Sequence, residues 1–82
     1  MDKLLQQLET VLHEMVAAHE QLLSLLEQKR QAVRSADHLK VNELCEVENH
    51  RLQSIGEMEK RRLKVMAEIT LTLRPEIGRA HV

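Results

Sequence analysis

The side chains able to do chemistry in this sequence are five histidines, one cysteine and a scatter of carboxylates. Glu9 with His13, and Glu46 with His50, stand four residues apart. That spacing places a carboxylate and an imidazole on one helix face, as a metal site would, but a surface charge–dipole pair explains it equally well. A di-metal helical bundle uses Glu-x-x-His, and no His here has Glu three residues before it. Cys45 follows His38 by seven residues, about 10 Å along a helix, too far for a nucleophile–base pair. Cys45 therefore reads as a small apolar filler. There is no Gly-rich phosphate loop. These residues point away from an enzyme, and neither a metal nor another cofactor is expected. The readable function is binding.

The elements that carry them follow from hydrophobic spacing. Residues 2–34 contain neither Pro nor Gly. From Leu5 the series runs Leu5, Leu8, Leu12, Met15, His19, Leu22, Leu26, Lys29, Val33, apolar at seven of nine positions. Steps of four and three make a heptad seam, with Leu5 at position a and Leu8 at position d. At about 1.5 Å per residue the stretch forms a rod roughly 50 Å long, which must lie along something equally long. Asp2 suits the helix N-terminus, and Lys29, Arg30 and Arg34 suit its C-terminus. A second apolar row stands at g (Leu4, Val11, Ala18, Leu25, Ala32), and Val16 and Leu23 stand at e. This sector is wider than one neighbouring helix can cover. Leu4, Val11, Val16, Leu23 and Leu25 are the residues expected to line a partner groove.

Ser35-Ala36-Asp37-His38 interrupts the pattern, with Asp37 a good N-cap for a second helix. A connection this short folds two helices back antiparallel; the alternative is one continuous helix. The second helix is expected over residues 38–73. Its template is Val41, Cys45, Glu48, Leu52, Ile55, Glu59, Arg62, Met66, Ile69, Leu73, and a competing register through Leu44, Arg51, Met58 and Val65 does nearly as well. Folding about residue 36 sets residue i opposite roughly 72 − i in an antiparallel pair. His19, Glu48, Glu59 and Arg62 at seam positions bury their stems and turn their heads to the edge. Gly56 marks a close approach or a weak point. Ile69 to Leu73 alternates like a strand but has nothing to pair with, so it reads as helix end. Pro75 disfavours helix at Arg74, and residues 75–82 are expected to form a flexible tail. The fold class is all-α: an antiparallel hairpin of two long helices that completes a four-helix bundle or coiled coil by self-association.

Composition agrees with that frame. The chain has 82 residues and no aromatic residue, so Leu, Val, Met and Ile must supply the packing, which suits a thin seam. A chain this short often draws on a partner or on oligomerisation for the rest of its core. Twelve basic residues against 13 acidic ones argue against nucleic acid as the main partner. The cluster Glu59-Lys60-Arg61-Arg62-Leu63-Lys64 spreads its charges around the helix and offers no aromatic for base stacking. A lone cysteine cannot form an internal disulfide. No stretch approaches the roughly 20 apolar residues that span a bilayer. No signal peptide is apparent, and a cytoplasmic protein is expected.

The stretch LLSLLEQKRQAVRSADHLKVNELCEVENHRLQSIGEMEKRR resembles the hallmark segment of the FlgN family of flagellar type III export chaperones. The matching elements are Leu22-Leu23, Leu25-Leu26-Glu27, Ala32, Asp37, Leu44, Glu48, Leu52 and Glu59-Lys60-Arg61-Arg62, within residues 4–66. The resemblance implies an all-helical cytosolic chaperone. It would bind the helical ends of hook-associated proteins by helix-in-groove packing, without nucleotide. Members of that family continue with a further helical segment for cargo binding, whereas this sequence ends at Val82. The resemblance thus implies either a longer parent chain or a shortened relative that completes its bundle as a homo-oligomer. The other reading is a coiled-coil dimerisation module without cargo.

Overall fold

The computed structural model describes the backbone of residues 1–80 and the side chains of residues 1–74. Two helices make up the fold: α1, Asp2–Arg34, and α2, His38–Ala80. They pack as an antiparallel hairpin with principal extents of 67 × 17 × 15 Å, so the hairpin and not the continuous helix is observed. α1 starts on an acidic residue, Asp2, and ends on a basic one, Arg34, each matched to the helix dipole.

The turn is held by backbone chemistry at both helix ends. Ala36 has φ 56°, the left-handed region. Its amide donates to the Val33 carbonyl, and the Asp37 amide donates to the Ala32 carbonyl, both at 3.0 Å. These two bonds form a Schellman closure, in which the left-handed position is usually glycine because a Cβ is disfavoured there. Asp37 then begins α2: its Oδ1 accepts from the Lys40 amide at 3.1 Å, the N-cap geometry expected of it. One residue thus closes α1 and opens α2, which leaves little freedom for any other direction of the chain.

Packing follows a seam that neither sequence template describes alone. On α1 the buried or half-buried residues are, Glu14 apart, Leu4, Leu8, Val11, Met15, Ala18, Leu22, Leu25, Lys29 and Ala32. These are the d and g rows, not a and d. On α2 the facing positions are Val41, Leu44, Glu48, Arg51, Ile55, Met58, Arg62, Val65 and Ile69, half from each of the two competing registers. Arg51 alone among these is exposed. The tightest cluster, Leu25, Ala32 and Leu44 with Leu22 and Val41 against it, sits beside the turn. Alanines at 18 and 32 let the two backbones approach, and this is why the g row goes inward.

The alternating run Ile69 to Leu73 is helical. Thr70 and Thr72 turn their hydroxyls back to the Met66 and Glu68 carbonyls at 3.0 and 2.8 Å, the way threonine settles into a helix. α2 also runs on through Pro75 to Ala80, past the end expected at Leu73 and into the segment expected as a tail. The pre-proline effect biases Arg74 away from helix without forbidding it. Proline removes one N–H from the ladder while the residues beyond it keep theirs. His81 and Val82, the end of that expected tail, lie outside the described residues.

Candidate partner-binding face

An antiparallel pair of right-handed helices sorts its outward rows onto two faces. Rows displaced in the same angular sense from the seam emerge on the same side of the hairpin. One side combines row c of α1 (Gln7, Glu14, Gln21) with Arg51, Arg61 and Glu68 of α2. It is tied across by side chains: Arg51 donates to Gln21 Oε1 at 2.8 Å, and Arg61 pairs with Glu14. Near the open end a groove is lined by Val11 and Val65 together with Lys3, Gln7, Thr10, Arg61, Lys64 and Glu68, among others. On this side the g-row residues Val11, Ala18, Leu25 and Ala32 are all buried.

The other side has no such cover. It carries rows a and e of α1 and the row Cys45, Leu52, Glu59, Met66, Leu73 of α2. The d row that borders it (Leu8, Met15, Leu22, Lys29) is only half-buried. Beyond it Leu5, Leu12, Val16, Leu23, Leu26 and Val33 are exposed, Val16 at 59% and Leu23 at 67%. From α2, Leu52 and Met66 are exposed on the same side. Scattered single apolar residues on a surface are ordinary; a continuous strip along a rod marks an interaction surface.

Polar groups along this strip are held by their own neighbours. His19 turns its Nδ1–H back to the Met15 carbonyl at 2.7 Å. Lys29 reaches across the seam to Glu48 Oε2 at 3.1 Å, between side chains only 31% and 20% exposed. That hydrogen bond, with the nearby Cys45 sulfur adding to it, holds the ammonium above its ordinary value. Arg62 folds its Nε–H onto Glu59 Oε2 at 2.9 Å. The same bond keeps the Glu59 carboxyl below its ordinary range and the guanidinium above its own. Glu48 and Arg62 therefore sit at seam positions by neutralising a neighbour at the edge.

The residues expected to line a partner groove divide between the two regions. Val16 and Leu23 stand on the open face. Leu4 is half-buried at the seam. Val11 and Leu25, at 4% and 7% exposure, belong to the intrachain core, because row g rather than row a meets α2. The residues missed are Leu5, Leu12, Leu26 and Val33 of α1, assigned by sequence to the inner seam. A signal for them existed. The d and g rows together are apolar at eight of nine positions, against seven for a and d, and carry the two small alanines.

Among the described residues no group of three His, Cys, Asp or Glu could hold a metal ion. None of the described helices is long and apolar enough to cross a membrane. Residues 1–80 match the family model described as FlgN protein. No curated protein and no solved structure matches the chain.

Proposed function

The chain belongs to the FlgN family of flagellar export chaperones, and on that premise we propose that its open apolar face holds the helical ends of hook-associated axial proteins and keeps them export-competent. The observation that supports this reading is the exposed strip of Leu5, Leu12, Val16, Leu23, Leu26 and Val33 beside a seam row that is only half-covered. A cargo helix laid along the strip completes the coverage of both, as an amphipathic helix does in an apolar groove. Each leucine taken from exposed to buried contributes up to about 1.5–3 kcal/mol, so four or five such anchors are ample for stable binding. Holding the cargo helix also hides the surface through which axial proteins would associate with one another too early. No nucleotide or metal enters the scheme, and the site is expected to lie in the cytoplasm.

The test is co-elution of the purified chain with the terminal helical segments of hook-associated proteins from a flagellated host. A complex that persists in high salt is expected, because the contact is apolar rather than ionic. Failure to retain any axial protein overturns the reading. The same exposure also favours a second one, a bundle module whose partner is its own copy. A tight dimer that retains no axial protein selects it.

A further inference from the structure

Charge is spread unevenly along the rod. Residues 1–12 and 60–74, which pair at the open end, carry six basic and three acidic side chains, whereas residues 13–59 carry five basic and nine acidic ones. The near-neutral total hides a basic end. Three of its six cations, Lys3, Arg61 and Lys64, converge on the groove of about 730 Å³ that lies on the side away from the open apolar face. Lys3 stands on the α1 wall, Arg61 and Lys64 on the α2 wall, and Val11 and Val65 line the space between them. Arg61 is answered by Glu14. Among the described residues Lys3 and Lys64 make no ion pair, and neither does Glu68 beside them. Two free cations therefore face one free carboxylate. α1 also begins at this end without a side-chain cap, so the positive end of its dipole adds to the same field.

We propose that this groove docks a short acidic segment of another protein. An apolar side chain of that segment sits between Val11 and Val65, and carboxylates on its flanks reach Lys3 on one wall and Lys64 on the other. Charge complementarity selects the occupant: carboxylates neutralise both free ammoniums, while a basic segment would be repelled by them. The walls run from Lys3 to Thr10 on α1 and from Arg61 to Glu68 on α2, one heptad each, about 10 Å. A groove of that length and volume takes a few residues of chain rather than a whole domain. Apolar area is left for such a guest, because the tightest intrachain cluster, Leu25, Ala32 and Leu44, lies at the other end of the rod. At the open end Leu4, Leu8, Val65 and Ile69 are only half-buried. A bilayer surface is too broad to enter between the walls, and single-stranded nucleic acid would find no aromatic side chain to stack on.

The groove and the cargo face are on opposite sides of the hairpin, so both can be occupied at once, and the proposal does not rest on the chaperone reading. Fluorescence anisotropy of a labelled Glu-Leu-Glu-Glu-Leu-Glu peptide against the full chain tests it. Saturable binding below about 1 mM in low salt is expected, weakening as salt is added. The Gln-Leu-Gln-Gln-Leu-Gln peptide has the same apolar content and should bind about tenfold more weakly or worse. Lys3→Glu and Lys64→Glu together should cost about tenfold or more, and Lys3→Glu alone should cost more than Lys40→Glu, the same charge change at the turn end. Circular dichroism checks that these surface variants keep their helicity. Carbodiimide coupling should attach the acidic peptide to Lys3 and Lys64 in preference to Lys40. No saturable binding, equal binding of the uncharged peptide, or equal losses from Lys3→Glu and Lys40→Glu would each overturn the proposal. So would retention of the chain by phosphatidylserine vesicles, dependent on Lys3 and Lys64, without retention of the peptide.

Discussion

Along α1 the inward rows from Leu4 to Ala32 and the outward strip from Leu5 to Val33 have the same length and the same period. Leu25 and Leu23 stand two residues apart, yet the first is buried against Leu44 and the second is largely in solvent. The difference lies in what interrupts each strip. The inward rows carry a single charge, Lys29, and α2 answers it with Glu48. The outward strip carries Glu9, His19 and Arg30, and among the described residues none of the three pairs with a charge on α2. Small residues add to the contrast: Ala18 and Ala32 admit the second backbone on the inner side, while every apolar position of the outer strip is Leu or Val. Period alone locates two seams on one rod; charge complementarity and side-chain size decide which of them the chain satisfies itself.

The largest effect that separates the two regions is cavity formation in the inner one. Leu25→Ala should lower hairpin stability by about 2–5 kcal/mol in urea denaturation, the usual range for a buried leucine. Leu44→Ala, which empties the same cluster from the other helix, should cost a similar amount. The double variant should cost less than the sum, since the two side chains share one cavity. A loss under about 0.5 kcal/mol at Leu25, the scale of a surface substitution, would show that the inner rows are no better covered than the outer ones.

Next in size are two changes at the turn, and they have opposite signs. Asp37→Ala removes the oxygen that caps the Lys40 amide and should cost about 1 kcal/mol. Ala36→Gly relieves a Cβ held at positive φ and should add about 1 kcal/mol. Both are read from denaturation midpoints. Neither should alter binding at the open face, so either one shifting cargo affinity would mean that the two regions are coupled.

How much of this was legible in the sequence depends on the scale asked about. Two long helices, an antiparallel return at residues 35–37 and the N-cap at Asp37 followed from spacing and turn chemistry, because those signals are local. The approximate pairing also followed, as the contacts Gln21–Arg51 and Glu14–Arg61 attest. The face of α1 that meets α2 did not. Rows a, d, e and g are all apolar enough to qualify, and the margin of one apolar position that favours d and g over a and d is too thin to decide between them. The answer needed both helices at once: only the d and g rows set Lys29 beside Glu48, and Glu14 and Gln21 beside Arg61 and Arg51. That is why α1 read by itself places Val11 and Leu25 outward and Leu5 and Leu12 inward. The expected end of α2 at Leu73 rests on the pre-proline bias at Arg74, a preference the rest of the helix outweighs as it runs on to Ala80.

A smaller effect comes from acid. The Glu59 carboxyl is held below its ordinary value by Arg62, so its folded pKa lies under its unfolded one. The contribution is fully present above the ordinary carboxylate value and is lost as pH falls through the lowered one. Hairpin stability should therefore decline on the acid side of the ordinary carboxylate range. In Glu59→Gln that part of the decline should be missing. Because both side chains are exposed by about a third, the effect should be modest and should shrink with added salt. Salt that left it unchanged would point to a drier pair than this face allows.

The smallest effect on stability belongs to the outward strip, and it is the sharpest test of the comparison. Leu23→Ser should change the unfolding free energy of dilute protein by no more than about 0.5 kcal/mol, since the side chain is already in water. The same change should weaken capture of an axial-protein helix about tenfold or more, because an anchor that would have been buried no longer is. Two positions of one helix, two residues apart, would then separate cleanly: Leu25 matters to the fold and Leu23 to the partner. Should Leu23→Ser instead destabilise the dilute chain as Leu25→Ala does, the strip would be covered from within, and no face would be left for cargo or for a second copy.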